Sequence, residues 1–430
     1  MNVQTTNSAE TPETPETPPA VPKRKRRIWI LLLSLLIVIT WFVWQRNDAP
    51  RPSTTSSDTA ELEKNLERAA GDQGTVTLAD RTYRVDRALV VPAGVTVRGN
   101  GATLHLSKTV DKFITLKSGS NLSDLTVEGG GQARILVAFA KGASDVEILD
   151  CTVEGRGTER IGIGTISGGS GLAVRDTTVR NVRSAIEITD DTSAVVVERV
   201  RIQRWSTRGI RIQGGPQGSS HRLRITGVQI GPNSGKSRSR YPIAALSTGA
   251  RHQDISVEGS TVIGRDTAFD DRSTPGTADQ ISITKTDGVV IRNNRSIDAG
   301  ERGINVSAAR EVVVAGNFVV GADTVGIGIG SNGPGKEVTE VELTGNTVID
   351  SGMSRRGTTV DASLAAVRLT RVADGVVANN QLVATPGVGN QKYAIALDGV
   401  TRVVVRDNSI EGDLQRLFRV RDGDSAEGRE

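Results

Sequence analysis

Aromatic residues make up only 3% of this 430-residue chain, which also holds one Cys, three His and two Met. A single Cys excludes an intrachain disulfide framework. His105, His221 and His252 form no HxxxH or Cys/His cluster, so no zinc site is expected and these histidines read as structural or surface residues. The glycine clusters Gly162-Ile163-Gly164 and Gly326 to Gly330 are not followed by a helix, and no Gly-Lys-Ser/Thr is present, which excludes a phosphate loop. Net charge is +4, but five positive charges sit in the run Lys23 to Arg27. The rest is near neutral, so no nucleic-acid partner is expected. No segment between the short Val/Ile/Thr strands sustains a helical period, so βαβ units are not expected.

What remains is Val, Ile, Thr and 48 Gly, which suit a narrow interior of short strands. Residues Gly288 to Val320 read GVVIRNNRSIDAGERGINVSAAREVVVAGNFVV, a unit that recurs. The position of Asn294 is held downstream by Asn317, Asn346, Asn380 and Asn408, and upstream by Cys151, Thr177, Val200, Val228 and Ser260. The steps between these positions are 26, 23, 28, 32, 34, 23, 29, 34 and 28 residues. A floor of 23 with variable excess is what a coil of fixed circumference with loop insertions produces. Leucine-rich repeats would need regularly spaced Leu, and propeller blades need about 40 residues. The unit predicts three short strands per turn, stacked in parallel, in an all-β parallel β-helix solenoid of about 11–12 coils with the right-handed crossover usual for parallel strands. Cys151 in that column reads as a buried structural thiol.

Residues 1–27 are a Thr/Glu/Pro-rich tail ending in the basic run. Ile28 to Trp44 runs 17 residues without charge, about 25 Å of helix and the short end of a membrane span. Trp29, Trp41 and Trp44 lie at its ends, and the basic run sets the tail in the cytoplasm and the large domain outside. A cleaved signal peptide competes with this reading, but the residues after Trp44 offer no small-residue cleavage site. The expected partner of this segment is therefore the cell membrane, through one single-pass helix. A Pro/Ser/Thr linker (45–57) leads to the β-helix domain (58–423), and 424–430 form a C-terminal tail. Asp58 with Glu61 fits a capping box, opening a helix whose apolar side is Leu62, Leu66 and Ala69, laid across the first coil.

Gly74 to Leu104, GTVTLADRTYRVDRALVVPAGVTVRGNGATL, resembles the opening of pectin-lyase-like right-handed parallel β-helix proteins. There a short capping helix precedes a strand, a "tYrv" strand and a "vPaGvtvrGnGatl" strand pair. With the repeated column, the resemblance covers about Asp58 to Asp422. It implies the fold strongly and the function weakly, because that fold hosts lyases, hydrolases, epimerases, tailspikes and adhesins. It also implies that the strands written Gly-Ile-x-Ile face a substrate groove. On this chain those are Ala185-Ile188, Gly209-Ile212, Ile243-Leu246, Ile281-Thr284, Gly303-Val306, Gly326-Ile329, Ala366-Leu369 and Ala394-Leu397. Alternation buries their Ile and Val and points Glu187, Arg211, Ser282, Asn305, Gly328 and Arg368 outward. Insertions gather before these strands, at Gly231 to Tyr241, Gly264 to Asp279, Asp350 to Leu364 and Ala384 to Lys392.

Candidate catalytic residues are Asp266, Asp270, Asp271 and Asp279, in or at the end of one such loop, and Arg302, just before the groove strand Gly303-Val306. Paired carboxylates can hydrolyse a glycosidic bond or carry Ca²⁺ that bridges an acidic sugar; no other cofactor or metal is expected. The bland alternative is a solvated loop with Arg265 and Arg272 as local partners. Candidate binding residues are Arg208, Arg211, Arg240, Tyr241, Asn305 and Arg368, within a wider basic set that adds Arg204, Arg238 and Lys392. Arg pairs with carboxylates at any relevant pH, and coils stacked every ~4.8 Å match roughly one sugar unit. Ordinary Arg-rich surface explains the same residues, and Trp205, Tyr241 and Tyr393 are the only aromatics near the groove. The polygalacturonase-like set is not assembled, and the Asp-Pro-His-Asp signature of mannuronan epimerases is missing. A lyase would need a base such as Arg302 or Lys285. The expected partner is an acidic polysaccharide, and three functions stay open: a lyase or epimerase ahead of a hydrolase, a polysaccharide-binding module, and a structural spacer or adhesin. Nothing in the sequence identifies the sugar, the reaction or an oligomer.

Overall fold

Each coil of the chain folds as three short strands, and like strands of successive coils pair in parallel into three long sheets. The unit at residues 286–307 shows the order: Thr286–Arg292 in the first sheet, Arg295–Ile297 in the second and Ile304–Ser307 in the third. The computed structural model describes residues 57–428 except 73, 166, 216–217, 232–240, 265–278, 331–336, 354–363, 389–390, 413, 415 and 420–424, and gives backbone alone for 416–419 and 425–428. The second and third sheets each hold 13 strands, so there are 13 coils where the repeat count predicts 11–12. The difference lies at the start. Thr75, Thr82 and Leu89 pair with Thr96, Thr103 and Ile114, so the opening segment already makes two full coils. At the other end Ser425–Gly428, expected as tail, pairs with the strand Thr401–Arg406 and extends the first sheet. The described residues from Ser57 onward form one compact unit.

The turn between the first and second sheets repeats in two residues. The first is in the left-handed region: Asp124, Asp150, Asp176, Arg199, Asn293, Asn379 and Asp407 (φ 50–56°), with glycines such as Gly316 in the intervening coils. Asp and Asn tolerate that region and Gly enters it freely. The second residue points inward and stacks on its counterparts. From Asn294 on, each Asn side chain accepts from the backbone N–H of the coil before it. Asn317 Oδ1 takes the Asn294 N–H at 3.0 Å, and Asn317 Nδ2 donates to Ile291 O at 2.9 Å and Asn346 Oδ1 at 2.9 Å. Toward the N-terminus the same column is largely apolar, with Leu125, Cys151, Val200 and Val228 buried. Burial pushes the Cys151 thiol up to about 11, as a structural thiol requires.

Helix α1 (Thr59–Asp72) closes the first coil, with Leu62 and Leu66 packed over Val76, Leu78, Leu89 and Val91. The capping box does not form. The Asp58 carboxylate instead accepts the Arg84 N–H at 2.7 Å and an Arg81 guanidinium N–H at 2.9 Å, while Ser57 Oγ accepts the Thr59 N–H at 3.1 Å. Asp58 therefore ties the helix to the coil below, where a second backbone needs a partner. No described helix is long and apolar enough to cross a membrane; the tail, the expected span at 28–44 and all but the last residue of the linker lie outside the described residues.

Candidate functional site

The outer face of the third sheet carries two columns of outward side chains, and both change character along its length. Pairing of Gly164 with Glu187, Glu187 with Arg211, Arg211 with Ala244, Ala244 with Ser282 and Ser282 with Asn305 makes one column, which continues to Gly328, Arg368 and Ala396. This is the outward row expected from alternation. The other column runs Ile135, Ile161, Ser184, Arg208 and Tyr241. Asp279 and Arg302 continue it, since they precede Ile281 and Ile304 as Tyr241 precedes Ile243. Toward the N-terminus the face is apolar, with Ile135, Ala138 and Ile161 in one buried cluster. Toward the C-terminus Ala365, Tyr393 and Ala396 form another. Arg208, Tyr241, Asp279 and Arg302 lie between them, while the Arg368–Asp398 pair shares strands with the second cluster.

At the centre of that stretch Asp279 is nearly fully buried, at 5% exposure. Its Oδ2 accepts from Asn305 Nδ2 at 2.8 Å and from Ser282 Oγ at 3.3 Å. Arg302 Nη1 donates to Asn305 Oδ1 at 2.7 Å, so the asparagine links cation to carboxylate. Asp279 Oδ1 is buried and has no hydrogen-bond partner among the described residues. Burial raises the Asp279 carboxyl to about 6, with Glu301 adding to the rise and Arg302, Ser282 and Asn305 opposing it. Tyr241 stands one coil before, and Arg208, two coils before, lies over its ring at 4.8 Å. Burial raises the Tyr241 hydroxyl too, helped by Asp279 and Glu301 and opposed by Arg208 and Arg302. These five side chains therefore share one electrostatic neighbourhood. It holds a carboxyl poised to gain or lose a proton near neutral pH, a phenol held protonated, and two guanidinium groups. A buried carboxyl moved toward neutral pH among a phenol and cations is the pattern of a candidate acid–base group.

Other expected residues fall elsewhere. Arg211 does not join Asp279; it faces the buried Glu187 at 3.5 Å, two coils away. Arg368 faces Asp398 at 3.6 Å, near the C-terminal end of the face. Trp205, expected beside the groove, is a core residue with no exposure, its Nε1 donating to Gly231 O at 3.0 Å. His252 is likewise fully buried and accepts the Ser220 N–H at 3.1 Å. Asp266, Asp270, Asp271, Arg238 and Arg240 lie outside the described residues. Among the described residues no three acidic, His or Cys side chains gather to hold a metal. Glu301 is the site residue that sequence reasoning missed, since it precedes its strand and carries no alternation signal. Ser282 is on the expected outward row, but only its contact with Asp279 gives it a role.

No family model matches the sequence, and no curated protein matches it. Solved structures do. The A-module of the mannuronan C-5 epimerase AlgE4 from Azotobacter vinelandii matches over 89% of this chain and 99% of its own, with TM-score 0.55 and 16% identity. The Streptococcus pneumoniae surface protein and adhesin PfbA matches over 87% and 98%, with TM-score 0.56 and 13% identity. The pre-mature gene product 12 of bacteriophage phi29 matches over 90% and 59%, with TM-score 0.56 and 15% identity. Likeness at these identities establishes the parallel β-helix fold, and an epimerase and an adhesin on one fold show that it does not select an activity.

Proposed function

We propose that this protein acts on an acidic, uronate-bearing polysaccharide at the middle of the third sheet, removing the proton from the ring carbon that bears the carboxylate. The observation that carries this reading is the buried Asp279, raised to about 6, beside Tyr241 and two arginines. A base working near neutral pH is best when its pKa lies close by. Asp279 takes the C5 proton as the C5–H bond breaks, and the electron pair passes into the sugar carboxylate. Arg302 and Arg208 offset the charge that develops there. Two outcomes follow from that intermediate. Tyr241 returns a proton to C5 on the other face, which is epimerisation, or the C4–O4 bond breaks and the leaving oxygen takes the proton, which leaves an unsaturated sugar. The fold shared with a mannuronan C-5 epimerase supports chemistry of this class.

A binding module is the second reading, favoured by the 5% exposure of Asp279, which leaves little surface for a reacting carbon. The test is to screen the full chain and Asp279→Asn against polymannuronate, polygalacturonate and neutral polymers, scoring binding and unsaturated-product absorbance or epimer content. Turnover by the parent, lost by about 10²–10⁴-fold in the variant with binding retained, supports acid–base chemistry. Binding without turnover in the parent supports the module, and no interaction with any acidic polymer overturns both.

The tether belongs to the same proposal. The uncharged run Ile28 to Trp44 behind five basic residues supports a single span that holds the β-helix outside the membrane. External protease on intact cells is then expected to remove the domain and spare the first 27 residues. A mature chain beginning near Asp48 would contradict the tether.

A further inference from the structure

The first sheet carries a recess of its own. A cleft of ≈ 280 Å³ opens on its outer face where the strands His221–Thr226, His252–Glu258 and Thr286–Arg292 stack, lined by Arg222, Arg224, Asp254, Ser256, Gly288 and Val290. It arises from the backbone. Once per coil these strands pass through the left-handed region, at Ala194, Arg222, Asp254, Gly288, Glu311, Glu340, Asp374 and Arg402, and the pairing register sets those residues in one column. Gly288 alone of these eight has no side chain, and earlier in the same column Gly171 stands on Asp145 in the same way. A Cβ on Gly288 would stand 2.7 Å from Asp254 Oδ1, so the glycine leaves the room in which the Asp254 carboxylate lies.

The charges of this cleft also differ from the ion pairs on the same sheet. Along the same sheet Arg175 pairs with Glu147 and Glu198, Arg251 with Asp287, and Arg402 with Asp374. Arg222, Arg224 and Asp254 form no ion pair with any described residue, and Arg224 makes only a 3.2 Å bond from Nε to Thr226 Oγ1. Two guanidinium groups without an ion pair among the described residues, beside a carboxylate and a hydroxyl and bounded on the next coil by a glycine and a valine, suit a small ligand with an anionic end and a hydroxyl-bearing end.

We infer that this cleft is a second glycan-binding site, taking one acidic sugar residue with its carboxylate on Arg222 and Arg224 and its hydroxyls on Asp254 and Ser256. It shares with the third-sheet reading only the premise that the ligand is a uronate-bearing glycan. Its role would be to hold a polymer chain on a face separate from the one that reacts.

Calorimetric titration of the full chain with trisaccharides of mannuronate, galacturonate and glucuronate tests it, with maltotriose as the neutral control. The expected result is two trisaccharides bound per chain by the parent. Arg222→Ala/Arg224→Ala and the cleft-filling Ser256→Trp should each bind one, with affinity at the lost site down at least tenfold, and Arg302→Ala should retain the first-sheet site. Unfolding midpoints check that the variants fold, and both arginines are exposed. If the parent binds one trisaccharide and the double variant binds none, the cleft stands and the third-sheet reading fails. If neither first-sheet variant changes the stoichiometry or affinity for any acidic trisaccharide, the cleft is not a site, whatever the third sheet does.

Discussion

Asp176 and Asp279 are carboxylates on the same solenoid with opposite tendencies. Asp176 stands on an exposed turn after a first-sheet strand, where Arg199 holds it through two hydrogen bonds of 2.6 and 2.7 Å and keeps its carboxyl below the usual range. Asp111 beside Arg134 and Asp374 beside Arg402 behave alike. Each is a solvated pair between neighbouring coils. Asp279 meets its cation only through Asn305, is nearly fully buried, and is pushed up to about 6. The contrast separates charge that decorates the coils from charge that is held at a cost. A fold does not retain an incompletely paired buried carboxylate for stability, so the place where it occurs is the place to look for function.

The sharpest way to break the contrast is to neutralise both aspartates in turn. Asp279→Asn is predicted to lower turnover of an acidic polymer by about 10²–10⁴-fold, and Asp176→Asn to leave it unchanged. Turnover by the parent should also fall as pH drops through about 6, where Asp279 gains its proton. An arm that descends near the ordinary carboxylate value of 3.8 would assign the base elsewhere.

Next in size is the cation. Arg302→Ala removes the donor to Asn305 and is expected to weaken binding of a polyuronate by about 10–100-fold, since hydrogen bonds to charged groups contribute ~1.5–3 kcal/mol. Binding measured beside Arg402→Ala, which removes an exposed pair, checks that the effect belongs to the site.

Stability should show smaller changes with the opposite ranking. Asp279 has a raised carboxyl, so the folded state holds its proton more tightly than the unfolded chain. The advantage is full below about pH 4 and is lost as pH rises through about 6. Above that the ionised group costs ~1–3 kcal/mol. Asp279→Asn is therefore expected to unfold at a higher denaturant concentration than the parent at pH 7, and at nearly the same one at pH 3.5. Asn317→Leu should do the reverse, because it leaves the Asn294 N–H without its acceptor, at about 1–3 kcal/mol for each buried group so stranded. An unchanged midpoint would mean that the asparagine column is packing and not hydrogen bonding. Asp176→Asn is expected to give the smallest shift of all, and one that salt reduces further.

Much of this architecture was legible in the residues. The recurring Asn and its 23-residue minimum give the coil. Alternation of Ile and Val in the third-sheet strands places Glu187, Arg211, Ser282, Asn305, Gly328 and Arg368 on one outer row, where the pairing register has them. The left-handed columns were not legible. Arg222, Lys285, Glu311 and Arg371 adopt positive φ with side chains that carry no turn signature, because stacking in a repeated bend overrides local preference. Asp279 was one of four aspartates on equal footing. What distinguishes it is burial and a bond to Asn305, 26 residues on, and neither is a property of its local sequence. Arg211 and Arg302 were expected at one spot, but Arg211 lies in the other outward column from Arg208 and faces Glu187 one coil back.

The central claim is that Asp279 removes a proton from the carbon beside a sugar carboxylate. NMR of an acidic polysaccharide in D₂O measures that step whether the product is an epimer or an unsaturated sugar. With the parent protein the account predicts loss of the C5 proton signal, by deuterium incorporation or by formation of the double bond, and no such loss with Asp279→Asn. A parent that binds the polymer and leaves every C5 proton in place, with no unsaturated product, would contradict it.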